Sequence, residues 1–160
     1  MSALLARTSA AEALVGQALP ALRLAASDGR QVDLARLDGT NVLYCYPPDP
    51  AAGAAQASGF RDLHAALRHL GVDRVIGVSA QSPAAQRVAR ERLALPFHLL
   101  SDGGALLARA FGIFDPDGSG IMSPRHLTLI LRNGRITDVI DPAGRAGENA
   151  QDVLDLLTGN

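Results

Sequence analysis

The spacing of apolar residues along this chain changes several times, and each change marks an element. Leu22, Leu24, Val32 and Leu34 alternate with other residues around Asp28-Gly29, the period of a small hairpin, and Asp38-Gly39 supplies a second turn. Residues 42–46 are a β-favouring run ended by Pro47 and Pro48, which cannot donate ladder hydrogen bonds, so a buried central strand is predicted there. From 54 to 70 the period lengthens. Ala57, Phe60, Leu63, Leu67 and Leu70 recur every three or four residues before Gly71, which predicts one long helix. Residues 75–79 read as the next strand, and Ser82-Pro83 as an N-cap with proline at the first helical position of a helix ending near Leu93. A strand over 97–100 follows, then a short helix capped by Ser101-Asp102 and running through Phe111. Residues 115–124 read as irregular chain. The runs 127–131 and 136–140 flank Asn133-Gly134, the strongest hairpin signal present, and an amphipathic helix over 149–157 ends the pattern.

Strand, helix, strand, helix implies parallel pairing and places the chain in the α/β class. No internal repeat, linker or low-complexity block divides it, so residues 1–160 are expected to form a single domain, with the alanine-rich residues 1–13 loosely ordered.

Charge narrows the range of functions. The chain has 160 residues, a formal net charge of -1, and 15 basic residues that are all arginine, spread from Arg7 to Arg145 without forming a stripe. Nucleic acid is therefore excluded as a main partner, and so is an anionic membrane surface. The apolar runs are too short to span a bilayer and no secretory leader is legible, so a cytoplasmic protein is expected. Cys45 is the single cysteine, which rules out an internal disulfide, a cysteine-based zinc site and intramolecular dithiol cycling. His64, His69, His98 and His126 lack metal-motif spacing, and His64 and His69 read as solvated. Neither a metal nor a cofactor is expected. Asp115-Pro116-Asp117-Gly118-Ser119-Gly120 lacks the closing glutamate of a calcium loop and reads as a plain loop.

The order of elements resembles a thioredoxin fold carrying the N-terminal β extension of peroxiredoxins. Several ordered pieces carry that resemblance: Val15-Gly16-Gln17-Ala18-Leu19-Pro20, Leu34-Ala35-Arg36-Leu37-Asp38-Gly39, Gly77-Val78-Ser79, Leu95-Pro96-Phe97-His98-Leu99-Leu100-Ser101-Asp102, Phe111-Gly112 and Arg125-His126-Leu127-Thr128-Leu129-Ile130. They resemble the alkyl hydroperoxide reductase and thiol-specific antioxidant family, most of all its bacterioferritin comigratory protein (PrxQ) branch. In that branch a strand ends in Tyr-Pro, a Thr-Pro-Gly-Cys-Thr stretch opens the next helix, an optional resolving cysteine follows five residues on, and Phe-Arg-Asp comes soon after. Tyr46-Pro47 and Phe60-Arg61-Asp62 are present here. Counting back from Arg61-Asp62 puts the peroxidatic position at Gly53 and the resolving position at Ser58, whereas aligning the local glycine puts the peroxidatic position at Ala54. Neither carries a thiol, and the threonine that would orient peroxide falls on Pro50 or Ala51.

The resemblance further implies a pocket with Arg125 as its arginine, Pro47 as the shielding proline and Tyr46 beside it. A peroxidatic cysteine depends on the first turn of a helix, whose unpaired N–H groups and dipole lower its pKa, and on a nearby arginine. Without the sulfur, such a pocket can still hold peroxide or a small anion. Cys45, just before Tyr46-Pro47, is either a buried structural residue or the catalytic residue of a single-cysteine peroxidase recycled by an external thioredoxin-like reductant. Three readings stay open: a peroxiredoxin-like protein without peroxidase activity, a cysteine-to-alanine or cysteine-to-serine form of an active enzyme, and a peroxidase using Cys45. Monomer and homodimer are both compatible with the sequence.

Overall fold

The computed structural model describes residues 13–46, 50–103, 106–111, 127–141 and 146–159. Alternating strands and helices follow one another as β1 (Arg23–Ala26), β2 (Gln31–Asp33), a 3-10 turn (Leu34–Arg36), β3 (Thr40–Cys45), α1 (Pro50–Asp62), α2 (His64–His69) and β4 (Arg74–Ser79). Then come α3 (Pro83–Leu93), β5 (Leu99–Ser101), α4 (Leu106–Phe111), β6 (Leu127–Arg132), β7 (Arg135–Ile140), a second 3-10 turn (Ala146–Glu148) and α5 (Asn149–Thr158). The seven strands among the described residues join one sheet in the order β2-β1-β5-β4-β3-β6-β7. β3 pairs with β4 and β4 with β5 in parallel, as the strand-helix-strand order predicts, and the remaining pairs are antiparallel.

Side chains alternate across this sheet and feed two cores. Leu43, Cys45, Ile76, Val78, Leu100 and Leu129 point to the face covered by the N-terminal segment and Leu107 of α4. Val42, Tyr44, Tyr46, Val75, Leu99 and Ile130 point to the other face, against Ala57, Phe60 and Leu67 of α1 and α2 and Val153 of α5. Polar caps close the ends of the elements. Ser82 Oγ accepts from Ala85 N at the start of α3, and the Asp102 carboxylate accepts from Leu106 N and Leu107 N at 2.8 and 3.0 Å, holding the start of α4. Asn133 and Gly134 turn the β6–β7 hairpin at φ +51° and +80°, a combination that asparagine and glycine tolerate.

The helix predicted over 54–70 differs in two respects. It starts earlier, at Pro50, where a proline fits the first helical position because its missing N–H has no partner there anyway. It also divides at Leu63, whose φ of -99° and ψ of 6° leave the helical well. Hydrogen bonds from Leu63 N to Gly59 O and from Leu67 N to Leu63 O continue across the break, so α1 and α2 are two arms of a kinked rod. β5 starts two residues later than the strand predicted over 97–100 and extends to Ser101.

Tyr44 fixes α1 against the sheet. Its ring stacks on Phe60 at 4.6 Å and 11°, meets Phe97 edge-on at 6.0 Å, and covers Gly77 of the neighbouring strand. A Cβ at Gly77 would lie 2.6 Å from Tyr44 Cζ and 2.8 Å from Leu99 Cδ2, so the ring occupies space that only glycine leaves free. Gly77→Ala is expected to destabilise the protein by about 1–3 kcal/mol through overpacking. Tyr44→Phe is expected to be neutral or stabilising, because the buried Tyr44 hydroxyl has no hydrogen-bond partner among the described residues. Urea unfolding midpoints of both variants check the pair; a Gly77→Ala midpoint equal to that of the unaltered chain would contradict the packing.

Candidate functional site

The site lies at the carboxyl ends of the parallel strands, where open α/β sheets place their ligand crevices. Tyr46 N donates to Val78 O at 3.0 Å, carrying the β3–β4 pairing one residue past the strand, and α1 begins four residues after Tyr46. Gly53 and Ala54 therefore sit near the amino-terminal end of α1, both half-buried, where the helix dipole favours negative charge. A cavity of about 60 Å³ opens beside them, closed by Tyr46, Ala57 and Gln81, and by Ala89 and Arg92 of α3. That space has room for a few water-sized molecules, so a small ligand fits it. A Cβ on Gly53 would come to 3.3 Å from Tyr46 Cδ2, so a side chain at Gly53 projects toward the Tyr46 ring. Ser58 is half-buried one turn further along α1 and does not line the cavity.

Buried polar groups support this end of the sheet. Burial pushes the Tyr46 hydroxyl above its ordinary pKa, and its hydrogen bonds with Ser79 and Gln86 partly offset that rise. Gln86 Nε2 donates to Ser79 Oγ at 3.0 Å and to Leu100 O at 2.8 Å, and Ser101 Oγ donates to Gln81 O at 2.6 Å. On the far side of α1, Gln56 Nε2 and Thr128 Oγ1 both donate to Asn149 Oδ1, at 2.9 and 2.6 Å. All three side chains are fully buried and tie α1 to β6 and α5.

Cys45 does not share this pocket. The alternation along β3 turns it to the opposite face of the sheet from Tyr46, and it is 1% exposed. Burial, reinforced by the Asp102 carboxylate, pushes its thiol up to about 12. Of the two readings of Cys45, this geometry matches the buried structural residue: adjacency to Tyr46 in sequence is separation across the sheet. Pro47, Arg125 and His126 lie outside the described residues, as does the loop 115–120. His64, expected to be solvated, is half-buried with its ring 6.0 Å from Phe97. Among the described residues no group of three or more His, Cys, Asp or Glu side chains could hold a metal ion. No described helix is long and apolar enough to cross a membrane.

Sequence reasoning missed Gln81, Ala89 and Arg92. The available signal was positional: Gln81 follows a parallel strand at its carboxyl end, and Ala89 and Arg92 lie on the helix that flanks α1.

Residues 15–144 match the profile of the AhpC/TSA family. This chain belongs to that family. Among AhpC/TSA relatives, it is 30% identical over 144 residues to the chloroplastic peroxiredoxin Q of Sedum lineare, covering 89% of this chain and 76% of the relative. The chain spans about two thirds of the length of other plant peroxiredoxin Q proteins that it matches. Its fold is similar to that of a cysteine-to-serine mutant of PrxQ from Xylella fastidiosa, with a TM-score of 0.80 at 22% identity over 91% of this chain and 95% of that one. Peroxiredoxin Q of Xanthomonas campestris superposes with a TM-score of 0.77 at 26% identity, covering 89% and 95%. The peroxiredoxin form of the thioredoxin fold is thereby confirmed, with its mixed sheet and flanking helices.

The burial of Cys45 has a consequence for stability. The unfolded thiol ionises around its ordinary value of 9.0, whereas the folded one holds its proton up to about 12. Between those values the folded chain binds more protons than the unfolded one, so stability falls as pH rises; the contribution is fully present below 9.0. Within this window the Cys45 contribution is expected to fall by up to about 1.4 kcal/mol per pH unit. Urea unfolding of the unaltered protein and of Cys45→Ala at a series of alkaline pH values measures it, and equal slopes would contradict the buried, protonated thiol.

Proposed function

We propose that this peroxiredoxin-family protein does not reduce peroxide through a thiolate and instead uses the pocket at the start of α1 to bind a peroxide-sized or small anionic ligand. One observation carries this reading: the only cysteine, Cys45, lies on the wrong face of the sheet with its pKa raised to about 12. At neutral pH its thiolate fraction is on the order of 10⁻⁵, against a few per cent for an ordinary thiol. A thiolate-dependent attack on peroxide has no nucleophile at the helix terminus, and without an oxidised sulfur there is nothing for a thioredoxin-like reductant to reduce.

The pocket itself keeps features that suit a small anion. The positive end of the α1 dipole lies beside the cavity, and Arg92 and Tyr46 line it. Arg125 and Pro47 are assigned to the same pocket by resemblance to the family. Gly53 is the favoured peroxidatic equivalent, because a side chain placed there projects at Tyr46. Ser58 is the resolving equivalent on the same count from Arg61-Asp62.

Hydrogen peroxide consumption in the presence of dithiothreitol tests the proposal. The unaltered protein and Cys45→Ala are expected to match the protein-free background, and Gly53→Cys or Ala54→Cys is expected to raise the rate at least tenfold above it. A rate in the unaltered protein that Cys45→Ala abolishes would establish the single-cysteine peroxidase instead. Failure of both introduced cysteines would show that the α1 terminus no longer activates a thiol.

A further inference from the structure

The Asn133-Gly134 turn between β6 and β7 carries a chemistry of its own. Asparagine before glycine is prone to lose its side-chain amide, because glycine has no Cβ to obstruct attack by its own backbone nitrogen. Two features of this turn suit that reaction. Asn133 is exposed, so water reaches it, and Gly134 N–H enters no hydrogen bond among the described residues. Gly134 N attacks Asn133 Cγ: the N–Cγ bond forms, the Cγ–Nδ2 bond breaks, and the amide leaves as ammonia with the proton from Gly134 N. Water then opens the cyclic imide at either carbonyl. One opening gives aspartate, the other isoaspartate, in which the backbone runs through the former side chain. No oxidant, reductant or cofactor takes part.

The folded chain holds Asn133 at two points. Its N–H donates to Gly39 O at 2.9 Å, and its Oδ1 accepts from Gly39 N at 3.0 Å. The second bond turns the carbonyl that must be attacked toward Gly39, just before β3, and the first fixes the backbone from which it swings. Gly39 is itself braced. Asp73 Oδ2 accepts from the next amide, Thr40 N, at 2.9 Å, and Asp73 N donates to Thr40 O at 2.7 Å. With φ at +79° and Asp73 Oδ2 packed where a Cβ would lie, position 39 suits glycine alone. On the other side of the turn, Leu19 N donates to Gly134 O at 2.9 Å.

We infer that Asn133 is a deamidation site kept latent by its two bonds to Gly39, and that isoaspartate formed there unfastens the β6–β7 hairpin from the entry to β3. Ring closure brings Asn133 Cγ within bonding distance of Gly134 N, so the side chain must first leave Gly39 in a local opening. Aspartate at position 133 keeps an oxygen for Gly39 N. Isoaspartate adds a methylene to the backbone of a two-residue turn, so residue 133 no longer meets both groups of Gly39. Opening exposes the site, and the isoaspartate product opposes reclosure. Nothing in this reading depends on the pocket at α1.

Peptide mapping of the full chain held at pH 8, folded and in guanidinium chloride, tests the inference. Asn133 is expected to convert to aspartate and isoaspartate in the denatured chain, and at least tenfold more slowly in the folded one. Asp73→Ala removes the brace beside Gly39 and is expected to speed conversion in the folded chain at least threefold. Should Asp73→Ala fail to fold, amide hydrogen exchange of the unaltered chain carries the test, with the Gly39 and Asn133 amides expected to be protected at least tenfold. After refolding, the isoaspartate form is expected to lose that protection at Gly39 and the aspartate form to keep it. Equal conversion in folded and denatured chains, an unprotected Gly39 amide in the unaltered chain, or an isoaspartate form as protected as the aspartate form would overturn the inference. A folded Asp73→Ala chain that converts no faster than the unaltered one would do the same.

Discussion

The two-residue period of β3 decides where sulfur can act in this molecule. Asn41 to Cys45 of β3 are paired on both sides, with β4 and with β6, so no slip of register is available to turn Cys45 toward α1. Tyr44 and Tyr46 take the face that meets the helices, and Cys45 must take the other. The chemistry follows from that geometry. A thiol in a closed apolar layer beside a carboxylate stays protonated, and the helix terminus that could have activated a sulfur has Gly53 and Ala54 beside it instead.

The scaffold around that terminus is nevertheless built as a rigid support. Tyr44 locks Phe60 and Gly77 together, the Gln56–Asn149–Thr128 bonds pin α1 from behind, and the Ser79–Gln86 pair fixes the Tyr46 hydroxyl. These contacts hold the helix on the sheet, although Gln86 Oε1 and Asn149 Nδ2 lack hydrogen-bond partners among the described residues. Family membership and a supported pocket are thus present together in a chain whose only cysteine is remote from the site.

Much of the fold was legible in the sequence because its signals are local. Asn133-Gly134 requires positive φ at both residues and marked its hairpin, and Ser82-Pro83 marked the start of α3. The entry to α1 was less legible: Pro50 reads equally as a loop residue or a first helical residue, and only tertiary packing separates the two. The kink at Leu63 has no glycine or proline to announce it. At the site, Tyr46, Gly53 and Ala54 were found by ordered family motifs, whereas Gln81, Ala89 and Arg92 come from elements brought alongside by the crossover between β4 and β5. The burial of Cys45 was legible from its place in a central strand, and the alternation along that strand assigns it and Tyr46 to opposite faces.

The most direct measurement is the intact mass of the folded protein after brief exposure to stoichiometric hydrogen peroxide at pH 7, with the modified residue mapped, beside the same exposure in denaturant. A sequestered Cys45 gains no oxygen in the folded chain and becomes oxidised once the chain is unfolded. Rapid addition of one oxygen to Cys45 in the folded chain, removed again by a thiol reductant, would contradict its burial away from the pocket and establish it as a working peroxidatic residue.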